Sequence, residues 1–160
     1  MVSFSRDGGQ LLVTSKRGWY VIAVSDGVRR SLVTLDEDEE KNPRLQAVDW
    51  SPDGASIYLT RSERDRWDRG LMRLDVATGE MTPLVKDSRL FGDFRMSRDG
   101  STFVFTASNG DRPAELHVAR LVRAADGRSA TLDAPKPLTS ANAWVADAVL
   151  PRSELVSYRD

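Results

Sequence analysis

Short apolar runs, separated by turn-forming residues, recur along the whole chain. They lack the apolar period of a helix, are rich in β-branched and aromatic side chains, and are bounded by Gly, Pro, Asp and Ser, which is typical of β-strands. In the run at residues 103–106, Phe103 and Phe105 point to one face, and Val104 and Thr106 point to the other. Apolar residues on both faces predict strands in sheets that pack between two neighbouring sheets.

A repeated turn sequence, Ser-x-Asp-Gly, organises these runs. Its three copies contain Asp7-Gly8, Asp53-Gly54 and Asp99-Gly100, and each copy lies 46 residues from the next. Glycine takes the positive φ that a tight hairpin needs, and aspartate hydrogen-bonds the local backbone. The sequence therefore predicts three structural turns. The recurring serine is assigned to the turn, because a catalytic nucleophile would occur once.

Each repeat contains four apolar runs. One run precedes the Ser-x-Asp-Gly turn and three follow it, as in residues 45–51, 57–60, 71–76 and 83–85 of the second repeat. Four-stranded units in series are typical of β-propeller blades. We predict an all-β fold: a partial β-propeller of about three four-stranded antiparallel blades, followed by a short C-terminal strand segment.

The repeat also predicts the domain organisation. Three blades are expected over residues 1–139, at about 1–40, 41–88 and 89–139, and the first has little of its inner strand. Residues 122–136 are expected to form a loop extension. Residues 140–160 are expected to be a closing strand segment or a junction, in which residues 144–150 and 155–158 pair as strands.

Composition excludes several other classes. The chain has 160 residues, a formal charge of −1, one His and no Cys, so it has no disulfide framework and no cysteine zinc site. The balanced charge argues against a nucleic-acid partner, and the lack of a long apolar run argues against a membrane partner. An absence of Cys fits a bacterial cytoplasm and a periplasm equally.

The second repeat reads WSPDG at 50–54, IYLT at 57–60, LDVATGE at 74–80 and PLV at 83–85. These sequences resemble the WD40-like repeat of TolB-type propellers, which also builds the propeller of prolyl oligopeptidase (S9) family serine peptidases. The tail, KPLTSAN at 136–142 and ELVSYRD at 154–160, is similar to the junction between such a propeller and its hydrolase domain.

The S9 resemblance implies a non-catalytic propeller that gates peptide access to an α/β-hydrolase domain outside this chain. Its expected partners are a peptide substrate and that domain. No G-x-S-x-G nucleophile elbow occurs in the sequence, so no catalytic residue is assigned.

Two other functions remain open. One is a TolB-like scaffold for protein–protein interaction, and the other is a channel-centred propeller enzyme such as a lactonase. The enzyme would need a cluster of metal-ligating carboxylates and histidines, which a single His serves poorly. No metal or cofactor is expected, and the unpaired blade faces are expected to promote self-association.

Three side chains are candidates for substrate binding. Glu39 and Glu40 end an acidic run at residues 36–40 that is expected to be a solvated inter-blade loop. In dipeptidyl peptidases, which the chain resembles, paired propeller glutamates hold the substrate's α-ammonium group, but the aromatic residues of that motif are missing here. Trp67 lies in a loop of mixed charge, and exposed Trp dominates many binding hot spots. His117 is expected to be a packed or rim side chain on a strand.

Overall fold

A computed structural model of the chain describes residues 1–66, 68–109, 112–124, 129–148 and 156. Blade 1 consists of β1 (Val2–Phe4), β2 (Gln10–Ser15), β3 (Gly18–Ala23) and β4 (Arg29–Thr34). Blade 2 consists of β5 (Arg44–Trp50), β6 (Ser56–Ser62), β7 (Arg69–Asp75) and β8 (Met81–Val85). Blade 3 consists of β9 (Leu90–Met96), β10 (Thr102–Asn109), β11 (Arg112–Arg123), β12 (Ala130–Leu132) and β13 (Lys136–Pro137). Two 3-10 helices span Glu39–Lys41 and Ala143–Asp147.

Consecutive strands pair antiparallel within each blade, and both β12 and β13 pair with β11. Blade 1 forms a separate sheet, while one parallel pair, Arg69 with Leu90, joins blades 2 and 3 into a nine-stranded sheet. The prediction of an all-β fold and a partial propeller is confirmed.

The blades are held together by two apolar cores, each of which is shared by two neighbours. Core 1 joins blades 1 and 2 through Leu12, Trp19, Val21, Leu32, Trp50, Ile57, Leu59, Met72, Leu74 and Val76. Core 2 joins blades 2 and 3 through Tyr58, Leu71, Leu84, Phe91, Phe94, Phe103, Phe105, Ala107 and Ala119. A single blade therefore buries its apolar face only against the next one.

Blade 1 keeps one apolar face uncovered. Val2 pairs with Val13, and Phe4 with Leu11, so these four side chains lie on the same face of the sheet. Side chains alternate between the two faces along β2, and Leu12 points into core 1, so this face points away from core 1. Phe4 is 61% exposed, whereas Trp50, its equivalent 46 residues later, is 2% exposed because blade 1 covers it. We define Val2, Phe4, Leu11 and Val13 as the free face.

Two predictions about local structure are wrong. The expected loop at residues 122–136 contains β12, because Ala130 and Leu132 pack against core 2 and extend the pairing of β11. The expected strand at 144–150 is replaced, in its described part, by the 3-10 helix Ala143–Asp147. Hydrogen bonds to Glu115 hold residues 141 and 142 and turn the chain out of the sheet there. The expected strand at 155–158 lies outside the described residues, apart from Val156.

The strand order gives every blade two distinct ends. The Ser-x-Asp-Gly turns and the turns at Gly27 and Gly79 lie at one end, which we call the turn end. The connections at residues 16–17 and 35–43 and the described residues of the connection between β6 and β7 lie at the opposite end, which we call the loop end.

Candidate ligand cleft at the loop end

The three Ser-x-Asp-Gly turns share one hydrogen-bond pattern. In each, the serine hydroxyl donates to the aspartate Oδ1 over 2.6, 2.5 and 2.5 Å, in chain order. The same hydroxyl accepts the N–H of the residue five positions later over 2.9, 2.9 and 3.0 Å. The glycines take φ values of +73°, +68° and +74°. Because the serine hydroxyl and the aspartate carboxylate both form hydrogen bonds within the turn, each Ser-Asp pair has a structural role. We call each such pair a clamp.

These clamps shift the acidity of their aspartates. Hydrogen bonds from the Ser97 hydroxyl and from Ser101 stabilise the charged carboxylate and lower the pKa of Asp99 to about 2. The equivalent serine hydroxyls lower the pKa of Asp7 and Asp53 below the ordinary value of 3.8. The lowered pKa values of these three aspartates therefore reflect hydrogen bonding within a hairpin.

The turns also contact one another across the blades. Gln10 Nε2 donates to the Gly54 carbonyl over 3.3 Å, and Arg6 contributes an ion pair with Asp49 at 3.2 Å. A methyl group placed on Gly100 would lie 2.6 Å from Pro52 Cδ. At the turn end, neighbouring blades therefore contact each other through the residues and the backbone of their turns.

An open cleft of about 420 Å³ lies at the loop end between blades 1 and 2. It is lined by Thr14, Ser15, Lys16, Trp19, Leu35, Glu39, Asn42, Pro43, Arg44, Leu45 and Arg64. Its volume falls within the roughly 300–1,000 Å³ of small-ligand sites. We call this site the loop-end cleft.

Local hydrogen bonds shape one wall of the cleft. The Asn42 side chain accepts from the Asp36 N–H over 2.7 Å and donates to the Asp36 carbonyl over 2.8 Å. Asp38 accepts from the Glu40 N–H over 3.1 Å and begins the 3-10 helix Glu39–Lys41. Short Asn and Asp side chains close such turns on their own backbone. The loop therefore presents a fixed wall.

Of the three substrate-binding candidates from the sequence, one lines this cleft. Glu39 lines it, and its carboxylate pairs with Lys16 Nζ at 2.9 Å, although both side chains are largely exposed. Glu40 is exposed, and the lining residues do not include it. Trp67 lies outside the described residues. Its neighbour Asp68 is buried and pairs with Arg66 at 2.8 Å.

The charged residues that dominate the cleft carry no sequence motif. Lys16 and Arg64 lie in two separate connections and Arg44 begins β5. No repeat or motif groups the three, although Arg64 belongs to the loop of mixed charge that contains Trp67. Arg64 Nε donates to the Asn42 carbonyl over 3.2 Å, which joins the wall at 63–66 to the wall at 36–42.

Glu115, which no sequence pattern indicated, holds the chain after blade 3. Its carboxylate accepts hydrogen bonds from the Thr139 hydroxyl, from the Ala141 N–H at 3.2 Å and from the Asn142 N–H at 2.8 Å. These donors lower the pKa of Glu115 to about 2, with Thr139 contributing most. Thr139 and Asn142 belong to the tail sequence that resembles a propeller junction, but nothing in the sequence indicated that Glu115 binds them.

His117 lies in β11, where it is half-buried. Its ring is nearly parallel to that of Phe105, with a tilt of 11° and 6.1 Å between the centroids, and its Nδ1 lies 3.0 Å from the Glu115 carbonyl. These contacts give His117 a packing role. Nowhere in the described residues do three or more His, Cys, Asp or Glu side chains gather as they would around a metal ion.

Comparisons with solved structures place this fold among known propellers. TolB from Acinetobacter baumannii matches with a TM-score of 0.54 and 18% identity over 82% of this chain and 31% of its own. A structure from a study of two prolyl endopeptidases matches with a TM-score of 0.52 and 14% identity, over 82% and 21%. Oligogalacturonate lyase in complex with manganese matches with a TM-score of 0.52 and 18% identity, over 83% and 38%.

The chain therefore has the fold of TolB-type and prolyl-endopeptidase-type propellers, and it spans well under half of each of these structures. No protein-family model matches the chain, and a comparison with curated proteins finds no match. The helices among the described residues are 3-10 turns of three and five residues, too short to cross a membrane.

Proposed function

We propose that this chain is a non-catalytic propeller segment that binds short peptides and gates their access to an α/β-hydrolase domain outside the chain, as in S9 peptidases. The loop-end cleft carries the proposal. It combines both charge signs with the apolar surfaces of Trp19 and Leu45, a composition suited to a peptide. The structural likeness to a prolyl endopeptidase supports the same role.

The mechanism is selection by size. A short peptide in extended form fits a narrow opening between blades and domains, whereas a folded protein does not. The propeller then contributes exclusion and orientation, and the hydrolase domain performs acyl transfer. Only the second step needs a nucleophile, a general base and an oxyanion hole.

Binding of labelled peptides by the purified 160-residue chain tests this function. We expect a pool of short peptides to bind with micromolar to millimolar Kd by fluorescence anisotropy, and a labelled folded protein not to bind. We also expect no release of p-nitroaniline from peptide p-nitroanilides. Binding of the folded protein but not of the peptides contradicts the gating role, and stoichiometric turnover contradicts a non-catalytic one.

A TolB-like scaffold for protein–protein interaction is the second candidate. The observation in its favour is the free face, where Val2 is 60% and Phe4 61% exposed, together with the structural likeness to TolB. The gene separates the two candidates. A G-x-S-x-G elbow within roughly 150 codons downstream supports the peptidase, and further blades support the scaffold.

A further inference from the structure

The charges in the loop-end cleft are unbalanced. Three cations, Lys16, Arg44 and Arg64, line it together with one carboxylate, that of Glu39. Lys16 already pairs with Glu39 at 2.9 Å. Among the described residues, Arg44 and Arg64 have no carboxylate within ion-pair distance, so the cleft favours an anionic ligand.

The two arginines are held on adjacent walls. Arg44 begins β5 and pairs in register with Ser62, which lies two residues before Arg64. The hydrogen bond from Arg64 Nε to the Asn42 carbonyl holds that side chain at the wall of the cleft. Guanidinium groups bind carboxylates through paired N–H donors in one plane, a geometry that a lysine does not provide.

Beside its charged and polar side chains, the lining of the cleft has an apolar part. Trp19 is 3% exposed, and its buried ring contributes to both core 1 and the cleft lining. Leu35, Pro43 and Leu45 are half-buried around it. A ligand that matches this surface has an apolar body beside its anionic group.

We propose that the loop-end cleft binds the C-terminal carboxylate of a peptide whose last residue is apolar. Arg44 and Arg64 take the carboxylate, and the surface formed by Trp19, Leu35 and Leu45 takes the last side chain. This inference deepens the proposed function and rests on it, because it names which end of the peptide is recognised. The exposed mouth at the loop end admits a chain terminus without unfolding either blade.

Matched peptides test the inference on the 160-residue chain. The probes are a fluorescein-labelled heptapeptide ending in Leu with a free carboxylate, its C-terminal amide, and an amidated version with an internal Asp. We expect the amide to bind about tenfold more weakly or worse, because it loses a charge-assisted hydrogen-bond pair. Equal binding of acid and amide overturns the inference and leaves peptide handling intact. Tight binding of the internal-Asp peptide also overturns the C-terminal assignment.

Variants locate the site. The double variant Arg44→Gln, Arg64→Gln is expected to reduce binding of the free acid to that of the amide. Arg98→Gln, which removes one exposed arginine at the turn end, is the control for the loss of a surface arginine far from the cleft and is expected to bind normally. Unchanged binding by the double variant overturns the site, and circular dichroism verifies that both variants are folded.

Small probes separate this inference from the proposed function. N-acetyl-leucine is expected to compete with the free-acid peptide, and inorganic phosphate at equal ionic strength is not. If N-acetyl-leucine binds in an Arg44- and Arg64-dependent way but no peptide does, the carboxylate site stands and the peptide-gating role fails. Stronger competition by phosphate than by N-acetyl-leucine overturns the assignment to a carboxylate.

Discussion

At the scale of single residues, the glycines of the first and third Ser-x-Asp-Gly turns differ in what surrounds them. Gly8 and Gly100 have nearly the same positive φ, but a methyl group on Gly8 meets nothing within 4 Å, whereas one on Gly100 lies against Pro52. The first glycine serves only the turn. The third also allows blades 2 and 3 to approach.

We expect Gly8→Ala to lower the free energy of unfolding by about 1–2 kcal/mol, the cost of a positive φ for alanine. Gly100→Ala is expected to cost about 1–3 kcal/mol more, because Pro52 must move. Urea unfolding followed by tryptophan fluorescence measures both. Equal losses in the two variants contradict the assigned contact between the blades.

The clamp at Asp99 also predicts a pH dependence. Its pKa is lowered to about 2 in the folded chain, so the carboxylate adds stability above its unfolded pKa of 3.8. That contribution is lost as the pH falls from about 4 to about 2. The stability difference between the wild type and Asp99→Asn is therefore expected to shrink over this range, as measured by urea midpoints. Asp65→Asn, on an exposed aspartate, is the control, and a difference for Asp99→Asn that does not change with pH contradicts the prediction.

At the scale of elements, blade 3 is closed by polar contacts as well as by packing. Its outer edge is split into β12 and β13, both short, and the segment that follows is held by the Glu115 carboxylate. Glu115 itself is half-buried, and it accepts hydrogen bonds from the backbone N–H groups of Ala141 and Asn142. It therefore sets where the chain leaves the blade.

We expect Glu115→Gln to weaken this tether, since an amide accepts fewer of these hydrogen bonds and carries no charge. Hydrogen exchange at Ala141 and Asn142 should accelerate severalfold, while the amides of β10 should be unaffected. Glu80→Gln, which alters an exposed glutamate in the turn before β8, should change neither region. Unchanged exchange at both amides in Glu115→Gln rules out the tether.

Packing within core 2 depends strongly on one aromatic ring. Phe105 is 0% exposed, and its centroid lies 5.7 Å from that of Phe91 and 5.0 Å from that of Phe94. Phe105→Ala is expected to cost about 3–5 kcal/mol through lost burial and a cavity. Phe4→Ala removes the same atoms from an exposed site and should change stability by about 0.5 kcal/mol or less, by thermal or urea unfolding.

At the scale of the whole molecule, repeat symmetry creates faces that need a neighbour. Two positions of the free face, Leu11 and Val13, have the equivalents Ile57 and Leu59 in blade 2, which are fully buried under blade 1. An apolar surface of this kind, when it is left open, favours association.

We therefore expect the 160-residue chain to self-associate through the free face, with a sedimentation coefficient that rises with concentration. Phe4→Asp should reduce this dependence. Val28→Asp, which changes an exposed apolar residue of the turn before β4, should not. Equal behaviour of the two variants would show that the free face does not drive association.

The repeat, the strands and the clamps could be predicted from the sequence. Strand alternation and turn chemistry are local properties, so a spacing of 46 residues and an Asp-Gly pair are sufficient to predict them. The local pattern did not predict the strand within residues 122–136 or the 3-10 helix within 144–150, because the packing of β12 on core 2 and the hydrogen bonds to Glu115 are contacts between residues distant in sequence.

The candidate site depends on contacts between blades, which no pattern along the chain predicts. Lys16, Arg44 and Arg64 belong to different segments and no repeat or motif groups them, yet the packing of blade 1 on blade 2 brings them around one cleft. Exposed charged side chains contribute little to the stability of a fold, so their positions follow no period along the chain. The apolar positions that pack one blade on the next do follow a period, which is why they could be predicted. The position of the cleft follows from that packing.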